Sequence, residues 1–188
     1  MIKKQGIIYL ASFLVLLLCS GFFTHLLADS HRYRERNHGR GREDRFQNKN
    51  DFKPVTNTIY KSICGGCHFS YPPELLPAAS WEKIINQLDD HFGEQVPIDP
   101  SSKGVIGKYL AGNGADRSSA KKAGKIVNCL KGRTPLRITE IPYIQKKHRG
   151  INPEVLNRKT IGSLSNCIAC HKTAEQGSFD EDHVIIPK

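Results

Sequence analysis

Cys64-Gly65-Gly66-Cys67-His68 and Cys167-Ile168-Ala169-Cys170-His171 decide how this chain is read. Each pairs two cysteines across two intervening residues and follows them at once with a histidine, which is the spacing at which c-type haem is attached. The two-residue gap lets each thiol reach one vinyl group of the same macrocycle, and the adjacent histidine brings its imidazole beneath the iron. Two other readings compete: a disulfide inside each motif, and a zinc site built from both cysteine pairs. A trailing histidine in both copies and the marks of export at the N-terminus favour two covalently attached haem groups, with Cys64, Cys67, His68, Cys167, Cys170 and His171 binding them.

Counting ligands narrows the chemistry further. The only methionine is Met1, so His/Met coordination is excluded by composition. Residues 51–188 hold five histidines, and the motifs use two, leaving His91, His148 and His183 for two distal positions. A helix predicted over Trp81 to Phe92, N-capped by Ser80, puts Trp81, Ile84, Ile85, Leu88 and Phe92 on one arc with His91 at its edge. His148 stands four residues after Ile144, on a face shared with Ile138 and Ile141 around Pro142. His183 follows Asp180, Glu181 and Asp182 and reads as solvated. The expected metal ligands are therefore His68, His91, His148 and His171. His91 lies 23 residues after His68 and His148 lies 23 before His171, which suggests local pairing without requiring it. Bis-histidine iron lacks the thioether that raises potential and keeps no open position for a substrate, so low potentials, no catalytic residue and no enzyme activity are expected.

Around the motifs the chain is organised simply. Lys3 and Lys4 precede an uncharged run from Gly6 to Phe23, and Ala28 ends the apolar stretch, so residues 1–28 read as a signal peptide or an N-terminal membrane anchor. An anchor would leave six arginines between Arg32 and Arg45 outside the membrane, against the usual charge asymmetry, so cleavage after Ala28 is preferred. Cys19 follows Leu18, which is too large for a lipoprotein site. Residues 29–50 are basic, apolar-poor and read as a flexible linker, with a strap onto anionic lipid or an acidic partner as its functional alternative. Residues 51–188 form the expected dihaem domain. That domain carries +5 of the total +10 charge, which about four haem propionates nearly cancel, so no nucleic-acid partner is inferred. Helices are also predicted over Lys103 to Leu110 and Ser118 to Leu130, closed by Gly132 and Pro135, and no strand pattern convinces. The expected fold is mostly α, a small helical c-type cytochrome domain wrapped around two haems with little or no sheet. Cys129 is left over and reads as a half-buried thiol, with an intermolecular disulfide as the alternative.

The segments CGGCHFSYPPELLPAASWEKIINQLDDHFGE, ITEIPYIQKKHRGI and SNCIACHKTAEQGSFDEDHVIIP, which together span most of residues 55–187, resemble the dihaem cytochrome c family, small periplasmic proteins often called DHC. The resemblance implies a mostly helical domain with both haems bis-histidine ligated, His91 and His148 matching the family's distal positions. It also implies electron exchange with other redox proteins, in some members a small oxygen-binding monohaem cytochrome, and with a membrane cytochrome b. A periplasmic electron carrier is the leading expectation. Two alternatives stand beside it: a haem peroxidase, reductase or gas-binding protein with one dissociable distal histidine, assisted by Glu140 or Arg149, and an electron-feeding subunit of a periplasmic reductase.

Overall fold

The structure, a computed structural model, describes residues 52–188. The expected signal peptide or anchor and the basic linker lie outside the described residues. Among those residues no helix is long and apolar enough to cross a membrane. The described chain is helical as expected. It contains no strand, only two isolated antiparallel bridges, His91 with Glu94 and His171 with Val184.

Short helices begin where the sequence supplies a cap. Asn57 caps α1 (Thr58–Cys64), its side chain accepting from Tyr60 N–H at 2.8 Å, and Asp99 caps α3 (Pro100–Gly112) through Ser101 and Ser102 N–H, with Pro100 at the first turn where its missing N–H costs nothing. The helix predicted over Trp81 to Phe92 is shorter and starts earlier: α2 covers Ala78–Asn86 and a 3-10 turn, Leu88–Asp90, follows. Ser80 is fully buried inside the first turn and caps nothing. The cap comes from Asp116, whose carboxylate accepts from Ala78 N–H at 2.7 Å across 38 residues. α4 (Lys121–Leu130), by contrast, starts later than predicted, because the Ser118 hydroxyl accepts from Ala120 N–H. It ends through Lys131 and Gly132, both at positive φ. α5 (Pro142–His148) opens on Pro142, and two single-turn helices follow, α6 (Pro153–Leu156) and α7 (Cys167–Cys170).

α2 packs on α3, and α4 on α5. Ile106, Ile126 and Ile141 are fully enclosed at the centre, with Leu76, Leu110 and Trp81 around them. Trp81 buries its indole and satisfies its N–H on the Pro73 carbonyl at 2.8 Å, so the apolar gain carries no unpaired donor. This core fixes α2 and α5, the elements that lead into the two distal histidines.

Candidate functional site

The first motif closes α1. Gly65 is required there: a Cβ would fall inside contact distance of the Lys61 carbonyl oxygen and of Ser70 Oγ. The chain then turns so that the exposed His68 ring faces back, its Nδ1 2.9 Å from the Phe69 carbonyl oxygen. With that nitrogen donating, Nε2 is the free ligand atom. His91 reaches the same place from the end of the Leu88–Asp90 turn rather than from a helix face. Its backbone is held on both sides, N–H to the Glu94 carbonyl at 2.7 Å and its own carbonyl accepting from Glu94 N–H at 3.3 Å. The two rings lie 6.2 Å apart between centroids, with 20° between their planes. A cavity of about 430 Å³, lined by Ile84, Asp89, Asp90, His91, Phe92 and Leu136 among others, opens beside His91. Burial first, then His68 and Arg137, holds the His91 imidazole below its ordinary range and keeps it neutral as a ligand must be.

The second site is built with the roles exchanged. Here the distal histidine carries the side-chain anchor: His148, the last residue of α5, sets Nδ1 2.8 Å from the Ile144 carbonyl oxygen and leaves Nε2 free. His171 caps α7, bonds Cys167 O through its N–H at 2.8 Å, and is bridged to Val184. The two rings are 6.0 Å apart at 71°. Phe179 covers His171 at 5.3 Å between ring centroids, and Phe52 covers Phe179 at 5.6 Å. Burial lowers the His171 pKa, and the charges of His148 and Lys122 add to it. Lys147 and Glu181 form an ion pair that ties α5 to the C-terminal turn.

The spacing is what a shared metal requires. Two imidazoles on one iron, each through a metal–nitrogen bond of about 2 Å, put their ring centroids about 6 Å apart. Both pairs satisfy this, and each stands beside its own pair of cysteines. Among the described residues no three His, Cys, Asp or Glu side chains converge as a zinc cage would need. Burial pushes the Cys64 thiol up and the Cys167 thiol up to about 11, away from the thiolate form that zinc binds. The residues present thus fit two haems, each with one cysteine pair and one histidine pair. His183 is exposed, as expected, and the half-buried Cys129 places its Sγ on the Ile126 carbonyl at 3.0 Å.

Sequence reasoning missed two groups. Tyr71 sets its ring 5.2 Å from His68 and donates its hydroxyl to the Ser165 carbonyl at 2.7 Å, joining the exit of the first motif to the entrance of the second. Nothing in the sequence links positions 94 residues apart. Phe92 was expected on the buried arc of a helix; it is 43% exposed and left-handed, at φ 60°, with the Arg137 guanidinium 3.9 Å above its ring.

A family model described as dihaem cytochrome c matches residues 60–179. No curated protein matches the chain. Three solved structures are similar to it. A dihaem cytochrome c from Rhodobacter sphaeroides is 41% identical, covering 68% of this chain and 99% of its own, with a TM-score of 0.61. DHC purified from the same organism is 38% identical, covering 67% and 99%, with a TM-score of 0.53. A dihaem c-type cytochrome from Shewanella baltica is 35% identical, covering 70% and 93%, with a TM-score of 0.57. On that match the chain belongs to the dihaem cytochrome c family, as an electron-transfer haem protein with two covalently bound c-type haems.

Proposed function

We propose that the protein is a periplasmic one-electron carrier whose two haems are both bis-histidine ligated, His68 with His91 on the first and His148 with His171 on the second. Cys64 and Cys67 bind the first haem covalently, and Cys167 and Cys170 the second. The reading is carried by one observation: two ring pairs, 6.2 Å and 6.0 Å apart, each beside its own cysteine pair. Bound there, each haem supplies a one-electron ferric/ferrous couple. The chain's own residues hold that couple steady: carbonyl oxygens of Phe69 and Ile144 fix the tautomers of His68 and His148, and the backbone bridges fix His91 and His171. A filled sixth position leaves no site for substrate and, without a thioether ligand, sets both potentials low. The protein therefore acts as a carrier and not as an enzyme. Its partners are other redox proteins, of which a small oxygen-binding monohaem cytochrome and a membrane cytochrome b are the candidates the family resemblance supplies.

The test is the absorption spectrum of the purified protein with pyridine haemochrome quantitation and added carbon monoxide. Two low-spin haems per chain that ignore carbon monoxide are expected. A haem that is high-spin as isolated or binds carbon monoxide readily would overturn the ligand set and favour a gas-binding or enzymatic role.

A further inference from the structure

Phe92 is the one described residue other than glycine, besides Lys131, with positive φ. Lys131 ends a helix, where such a backbone is ordinary. Phe92 follows the Leu88–Asp90 turn and its cap residue His91, and an exposed aromatic keeps that conformation only where its surroundings hold it there. Its N–H bonds the Asp90 carbonyl at 3.0 Å, Gly93 N–H bonds Asp90 Oδ1 at 2.9 Å, and the His91–Glu94 bridge closes the loop around it. The strained turn sets the Phe92 ring 4.8 Å from the His91 ring on one side and 3.9 Å from the Arg137 guanidinium on the other. Arg137 belongs to the strand of chain that enters α5, and its neighbour Leu136 lines the same cavity as His91. Backbone strain next to a ligand, clamped by a charge from a distant segment, calls for an explanation beyond packing.

We propose that Arg137 is a positioning and tuning residue for the first haem: it clamps Phe92, and through it His91, and its charge raises that haem's potential above the value His68 and His91 alone would set. The proposal rests on the bis-histidine reading. The couple it acts on takes one electron from an external one-electron donor, ferric to ferrous, with no bond made or broken and no proton moved; a fixed positive charge favours the reduced side. Contacts of 3.9 Å and 4.8 Å in series put the charge within about 9 Å of the His91 ring, and within about 12 Å of the point midway between His91 and His68. At an effective dielectric of about 20, a unit charge at that range moves an equilibrium about tenfold. Arg137 is 52% exposed and has Glu140 at 3.9 Å, so water and that carboxylate reduce the effect to about threefold.

The experiment is an EPR-monitored redox titration of the holoprotein and four variants, the two haems being told apart by the different angles between their imidazole planes. Arg137→Gln should lower the potential of the first haem alone, by about threefold to tenfold in its reduction equilibrium, at most about 59 mV for one electron. Arg137→Lys should retain most of the potential, and Glu140→Gln should move it the opposite way. Phe92→Gly keeps the charge and removes the clamp, so it should broaden the first haem's signal and shift the potential less than Arg137→Gln does. An unchanged first potential in Arg137→Gln, or equal shifts at both haems, would overturn the role of Arg137 while leaving the ligand set intact. A wild-type first haem that binds carbon monoxide would overturn the ligand set itself, and this proposal with it.

Discussion

Replacing Tyr71 with phenylalanine removes one oxygen from the link between the two motifs and should destabilise the protein in a pH-dependent way. At neutral pH the loss is the hydrogen bond to the Ser165 carbonyl, 2.7 Å long and open to water on one side. That is worth about 1 kcal/mol, which lowers Tm by roughly 3–5 °C in a domain of this size. Burial pushes the phenol up to about 12 from its ordinary 10.0, so the folded protein favours the neutral form. A group raised in this way contributes fully below pH 10.0 and loses its contribution as the pH climbs toward about 12. The two-unit gap sets a ceiling of about 2.7 kcal/mol, which solvent at the half-exposed ring reduces to about 1 kcal/mol. Wild type should therefore lose its advantage over Tyr71→Phe by about pH 11.5. Paired urea melts of the two holoproteins at pH 7 and pH 11.5, followed by circular dichroism, measure both terms. Because the two chains share every other titrating group, their difference isolates Tyr71. Equal stability at pH 7, or a difference of the same size at both pH values, would refute the reasoning.

Other outcomes follow from the same geometry. His91→Ala and His148→Ala should each convert one haem to a high-spin, carbon-monoxide-binding form while both haems stay attached, read by absorption and by mass; low-spin spectra in both variants would remove them as ligands. The wild-type EPR spectrum should contain two unlike low-spin signals, a rhombic one from the near-parallel rings of the first site and one with a large maximal g value from the near-perpendicular rings of the second. Gly177→Ala should lower stability by about 2–3 kcal/mol in a thermal melt, since a Cβ there meets the Phe52 carbonyl at a φ of +79° that alanine rarely adopts.

The candidate site was readable to the extent that composition constrained it. With a single methionine at position 1 and five histidines in residues 51–188, elimination left His91, His148 and His183; the apolar faces beside the first two and the acidic run before the third chose between them, and the structure brings His91 and His148 each beside a motif histidine. Their local pairing was only suggested by the equal spacings; the turn after α2 sets the His91 ring 6.2 Å from His68, and the end of α5 sets the His148 ring 6.0 Å from His171. Helix boundaries were less readable because caps can come from afar, as Asp116 does for Ala78, while the obvious candidate Ser80 is buried one turn inside. Phe92 misled for a related reason: its apolar character matches a helical arc, but the backbone leaves the helix before reaching it. Tyr71 and Arg137 carried no signal at all, since their partners lie in distant stretches of chain.

The two ring pairs occur in opposite order along the chain, motif before distal residue in the first and distal residue before motif in the second, and each is closed by a loop of 23 residues. Closing a loop that short costs little chain entropy, and the cost grows only slowly with length. The pairing of each distal histidine with its motif histidine can therefore begin within its own stretch of chain, and contacts this local favour rapid folding. The second pair cannot begin to close until both His148 and His171 have emerged, whereas the first can form once the chain has passed His91, before Leu136 and Arg137 arrive to complete its surroundings. In a chain delivered from its N-terminus, the two pairs would form in sequence, with Tyr71 left without its Ser165 carbonyl until the chain reaches the second motif.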